Sequence, residues 1–179
     1  RYKDYIKRLT KTLNIKRLGS GVYAQVFQHP VYHNVAVKVV YANEDPRYLE
    51  YIKLVQKHQN NPWLPKIVGI SKTDIDNGEN GKLVFVFMEK LTRASNKQIK
   101  NAVDEIMFSV PDIKNKWYYL PTQFLDLYDD DWECIKKYSV DKNIKEVASI
   151  LLRVGAGDIH NENVMMRGDQ LVFTDPVAS

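Results

Sequence analysis

The sequence predicts an α+β chain: a mostly-β lobe carrying one helix, followed by a lobe that is mostly helical. Three observations predict it. Runs of β-branched and aromatic residues separated by turn residues crowd the first half, apolar residues at helical spacing follow Leu91, and a short polar segment with two brief strands comes last. The 179 residues are enough to bury a core. The organisation expected is a first domain over 1–91 and a second over 92–179.

In chain order, the strand-like runs of the first half are Ile15 to Leu18, Ala24 to Gln28, Val35 to Val40 and Leu83 to Met88. Asn77-Gly78 and Asn80-Gly81 supply turn residues ahead of the last run. Between the third and fourth, Asp45-Pro46 reads as a helix start, with Asp as the cap and Pro at the first helical position, where its missing N–H costs nothing. That helix runs to about His58, Asn60-Asn61-Pro62 stops it, and Leu64-Pro65 to Ile70 reads as another short strand. Helices are expected around Asn96 to Met107 and Asn143 to Val154. The second places Ile144, Val147, Ala148, Leu151 and Val154 on one apolar face. Val164 to Arg167 and Leu171 to Thr174 then flank the turn Gly168-Asp169.

Composition narrows the function classes. With 44% hydrophobic and 27% charged residues the chain is globular, neither disordered nor fibrous. A single cysteine, Cys134, excludes an intrachain disulfide and a multi-cysteine metal cage, and fits a reducing compartment. No apolar run approaches the roughly 20 residues a bilayer span needs, so no membrane association is expected. The net charge of +4 is spread over Lys7, Lys11, Lys53, Lys97, Lys136 and others, which reads as a solvated surface and implies no specific nucleic acid. Asp129-Asp130-Asp131 reads as a solvated loop, and Trp117, Tyr118 and Tyr119 as core or interface.

Three constellations carry chemistry. Gly19-Ser20-Gly21-Val22-Tyr23-Ala24-Gln25-Val26 lies between two strand-like runs, and glycines there let backbone N–H groups approach phosphate oxygens; a plain tight turn is the alternative. Lys38 interrupts the apolar strand Val35 to Val40, as a cation held for phosphate oxygens or as an edge-strand lysine whose head reaches water along the sheet. Asp158, Asn163 and Asp175 are the residue types that phosphoryl transfer requires. One carboxylate takes the attacking hydroxyl's proton, while an amide oxygen and a second carboxylate hold Mg2+. Singly, each also suits a capped turn.

Taken together, these motifs resemble those of protein kinases. Gly19, Gly21, Ala24 and Val26 match the glycine-rich loop, with alanine at the third glycine, and Val35-Ala36-Val37-Lys38 matches Val-Ala-Ile-Lys. Asp158 and Asn163 match the catalytic loop, and Asp175 matches the Asp of Asp-Phe-Gly. Gln28-His29-Pro30, Ile159 to Met165 and Thr174-Asp175-Pro176-Val177 are similar, more narrowly, to the early serine/threonine kinases of short-tailed phages that encode their own RNA polymerase. That similarity covers the two catalytic ends and hardly touches Thr92 to Asp141.

The resemblance implies a kinase-like fold with an antiparallel β N-lobe, one helix and a reduced, mostly helical C-lobe. It implies ATP and Mg2+ as cofactors. Gly19, Ser20, Gly21, Tyr23, Val26, Ala36 and Lys38 would line the nucleotide site, Met88 would be the gatekeeper of Leu83 to Leu91, and backbone groups of Glu89 and Leu91 would meet adenine. Read without the resemblance, that last run is a buried strand. Glu50 is the candidate partner of Lys38, its rival reading being an exposed glutamate three residues before Lys53.

The departures have consequences of their own. Ala156-Gly157 stand where kinases usually carry His-Arg, so activation by loop phosphorylation is not expected. His160 replaces a lysine common in kinases, as in aminoglycoside-type phosphotransferases, and either touches the γ-phosphate or caps the loop. Pro176 replaces the phenylalanine of Asp-Phe-Gly and fixes φ, so Asp175 is expected to stay turned into the site. The sequence ends at Ser179, soon after Asp175, so a reduced lobe or a longer natural chain is expected. The function expected is ATP- and Mg2+-dependent phosphorylation of Ser or Thr on host proteins in the host cytoplasm. Phosphorylation of a small molecule, and non-catalytic binding of a host protein, are the alternatives.

Overall fold

Why β-branched runs in the first half become a sheet is visible in their pairing. The computed structural model describes residues 15–20, 24–76, 78–109, 142–154 and 163–175, with positions 8 and 11. The strands β1 (Arg17–Ser20), β2 (Ala24–Gln28), β3 (Val35–Tyr41), β4 (Ile67–Asp76) and β5 (Lys82–Glu89) form one antiparallel sheet in the order β1-β2-β3-β5-β4. The helix α1 (Pro46–Gln56) separates β3 from β4 in the chain. Next come the two-residue strand β6 (Thr92–Arg93), α2 (Asn96–Ser109), α3 (Lys142–Val154), β7 (Val164–Arg167) and β8 (Gln170–Phe173). The last three strands make a small sheet, ordered β6-β7-β8.

The chain therefore is α+β with an antiparallel five-stranded sheet. It divides into two compact units, one of Arg1–Pro46 with Lys66–Lys90, the other of Arg47–Pro65 with Leu91–Ser179. Residues 47–65, counted with the first domain in the sequence reading, belong to the second unit.

In the first unit, Phe27, Val37, Val39, Tyr41 and Leu83 form an apolar cluster, with Ile15, Phe85 and Phe87 packed against it. Val37, Val39 and Tyr41 alternate along β3, as strand geometry requires of residues sharing one face. β1 starts two residues later than Ile15, which still packs on this cluster from just outside the strand. β4 also differs from expectation, running to Asp76 rather than ending at Ile70. Its extension is polar except for the exposed Ile75, so no hydrophobic alternation announces it; pairing with β5 across the sheet edge keeps it extended. The hairpin joining them turns through a short 3-10 segment, Gly78–Asn80, with Gly78 and Gly81 at positive φ.

In the second unit, α1 buries Tyr48, Tyr51, Ile52 and Val55, and α3 buries Ile144, Val147, Ala148, Leu151 and Val154, the face its spacing predicts. α2 packs on α3 and buries Ile99 and Ala102. Its start is fixed by a reciprocal cap: the Gln98 N–H donates to Ser95 Oγ at 3.2 Å, and the Ser95 N–H donates to Gln98 Oε1 at 2.7 Å. Asn61 ties the segment after α1 to α3. Its amide donates to the Asn143 carbonyl at 2.8 Å and to Glu146 Oε1 at 3.1 Å, while its oxygen accepts the Trp63 N–H at 3.0 Å. His58 lies 3.3 Å from Glu146, but the pair is half-exposed and is worth no more than about 1 kcal/mol.

Two outcomes follow for stability. Gly81 has φ +74, and a Cβ there would stand 2.8 Å from Cγ of Asn43, whose amide donates to the Glu79 carbonyl at 3.0 Å. Gly81→Ala is expected to cost about 2–3 kcal/mol, combining left-handed strain with the displaced hydrogen bond, against about 1 kcal/mol for Gly78→Ala, where the added Cβ meets nothing. Denaturant midpoints of the two variants check the order. Asn61→Ala leaves partly buried amide and carbonyl partners unmet and is expected to lose about 1–2 kcal/mol in the same assay.

Candidate functional site

Lys38 occupies the middle of β3, and β3 is an interior strand with β2 on one side and β5 on the other. The register sets Lys38 opposite Val26 in β2 and opposite Val86 in β5, with Ala36 opposite Met88. Opposed residues of antiparallel strands project to the same side, and residues two apart along a strand share a face. Val26, Ala36, Lys38, Val86 and Met88 therefore line one face of the sheet, and the apolar cluster takes the other. Lys38 is only 7% exposed, so it is not an edge-strand lysine with its head in water. Met88 is buried directly across from Ala36.

Around this face the backbone is arranged by its neighbours. Gly19 pairs with Val26 after a slip in register between Arg17 and Gly19, and a Cβ at Gly19 would meet nothing within 4 Å, so packing does not demand glycine there. Ser20 pairs with Gln25 through the strand backbone. At the end of β5, the Glu89 N–H donates to the Lys66 carbonyl at 3.0 Å, and the Lys66 N–H donates to Glu89 Oε1 at 2.9 Å. The Lys90 N–H donates to the Asn34 carbonyl and its ammonium to Gln28 Oε1, both at 2.8 Å, which anchors the strand exit on its other flank. Leu91 is partly buried and belongs to the second unit.

In the second unit the β7–β8 hairpin brings Asn163 and Asp175 together. Pairing of Val164 with Phe173 puts them at its open end, where the Asn163 carbonyl accepts N–H bonds from Thr174 at 2.9 Å and Asp175 at 3.2 Å. Asn163 is 7% exposed and Asp175 is partly buried. An amide oxygen and a carboxylate are hard donors, the kind that hold Mg2+ alongside water and substrate phosphates. Among the described residues no group of three His, Cys, Asp or Glu is placed to hold a metal.

Groups that sequence reasoning passed over hold the hairpin, at this open end through Tyr51 and the Trp63 backbone and beside its turn through Arg167. The Tyr51 hydroxyl donates to the Phe173 carbonyl, and the Phe173 N–H donates to the Trp63 carbonyl at 2.8 Å. Arg167 donates to the carbonyls of Pro62 at 3.0 Å and Leu64 at 3.1 Å. The only signal in this stretch was Asn60-Asn61-Pro62, read as a helix stop. Burial, with the Asp175 carboxylate adding to it, pushes the Tyr51 phenol well above its ordinary range, so it remains an O–H donor.

Glu50 is exposed on α1. Gly21, Tyr23, Asp158 and His160 lie outside the described residues, as do Pro176, Cys134, Trp117 to Tyr119 and Asp129 to Asp131. No helix among the described residues is long and apolar enough to cross a membrane. No protein-family model matches the chain, and no curated protein matches it significantly in sequence.

Proposed function

We propose that the chain is an ATP- and Mg2+-dependent phosphotransferase of the protein-kinase kind that phosphorylates Ser or Thr on host proteins. The observation that carries this reading is the pairing of Asn163 with Asp175 at the end of one hairpin, in the order the kinase motifs require. The shared face of Val26, Ala36, Lys38 and Met88 supports it from the other unit, as an apolar surface for a base with one cation for phosphate oxygens.

In this reading Lys38 steadies the α- and β-phosphates, and Asn163 and Asp175 hold the metal. Mg2+, when bound, neutralises charge on the phosphates. Asp158 accepts the proton of the attacking hydroxyl as its oxygen bonds to the γ-phosphorus, and ADP departs with the electrons of the broken bond. These groups act by placement and charge, since phosphoryl transfer asks little covalent chemistry of the protein. His160 is assigned to the γ-phosphate, and Ser20 and Gly21 to the phosphates through their backbone N–H groups.

Binding and turnover are expected to separate cleanly. ATP with Mg2+ at 100 times Kd should stabilise the parent by about 2.7 kcal/mol, a rise in Tm on the order of 5–10 °C. EDTA, Asp175→Ala and Asn163→Ala should each abolish most of that rise. With radiolabelled ATP, Asp158→Ala and Asp175→Ala are expected to lower γ-phosphate transfer at least about 100-fold. Equal transfer by parent and both variants overturns the enzyme reading. Label on a small hydroxyl compound in place of protein selects the small-molecule phosphotransferase.

A further inference from the structure

Tyr51 is completely buried on α1, and a phenol in such a place is costly unless its hydroxyl finds a partner. Phenylalanine would fill the same space without that demand. The partner is the Phe173 carbonyl, two residues before Asp175. Its neighbours in the chain are held too: the Phe173 N–H by the Trp63 carbonyl at 2.8 Å, and the Thr174 and Asp175 N–H groups by the Asn163 carbonyl at 2.9 and 3.2 Å. From Phe173 to Asp175 the backbone is thus gripped from three directions, and Tyr51 is the side chain that reaches it from α1.

We propose that Tyr51 is a positioning residue for the metal pair, its hydroxyl holding the backbone from which the Asp175 carboxylate projects. The inference rests on the metal role assigned to Asn163 and Asp175 above. Outer groups that orient a ligand carry a large share of metal affinity, and their loss typically costs 10- to 100-fold.

The test compares Tyr51→Phe with Tyr48→Phe, a second buried tyrosine of the same helix, so that each variant loses one buried hydroxyl and keeps its ring. Mn2+ is titrated by electron paramagnetic resonance into each protein with ATP present, beside melting curves and exchange of the Thr174 and Asp175 amides without nucleotide. Tyr51→Phe should bind Mn2+ on the order of 10-fold more weakly and exchange those amides faster, while Tyr48→Phe keeps the parent's Mn2+ affinity. Unchanged Mn2+ affinity in Tyr51→Phe beside a parent that binds, or equal weakening in both variants, overturns the positioning role alone. A parent that takes up no Mn2+ overturns the metal reading, and the inference with it.

Discussion

An interior strand leaves its residues no choice of direction. β3 is hydrogen-bonded on both sides, so its backbone is committed and its side chains must alternate between two faces. Val37, Val39 and Tyr41 go to the apolar cluster, and Lys38 must therefore go to the other side with Ala36 and Val40. A one-residue slip against β2 or β5 would bury the ammonium among Phe27, Phe85 and Phe87. The hydrophobic demand of one face thus fixes where the lysine of the other can be. Val26 and Met88 join Lys38 and Ala36 for the same reason, through register and not through any attraction between them.

The second unit solves a different problem, that of holding the open end of a short hairpin in a lasting arrangement. A hairpin with four-residue strands is marginal by itself. Here it is supported by β6 along one strand, by Arg167 reaching the carbonyls of Pro62 and Leu64, and by the Trp63 carbonyl and the Tyr51 hydroxyl at Phe173. Asn61 fastens the same segment to α3. The stability of the helical core is in this way delivered to the hairpin that joins Asn163 to Asp175.

Much of this was legible in the residues themselves. The apolar face of α3, the helix start at Pro46, the strands β2 and β7 and the turn at Gly168 follow from periodicity and local turn chemistry, because those signals are contained within a few neighbouring residues. The identities of Lys38, Asn163 and Asp175 as candidates for phosphate and metal chemistry were also evident, from residue type and order.

Other features needed the folded chain. The length of β4 and the existence of β6 depend on partners, β5 and β7, that no local pattern names. Only the strand order sets Lys38 in the interior of the sheet and not at its edge. That Tyr51 touches Phe173, a residue 122 positions away, has no counterpart in helical spacing, which marks the face of α1 that is buried but not what it is buried against. Sequence by itself determined which residues could carry chemistry and which face of each element had to leave water. Tertiary structure decided which of those residues share a face or a hairpin end, because the pairing of distant strands and helices is a property of the whole chain and not of any window within it.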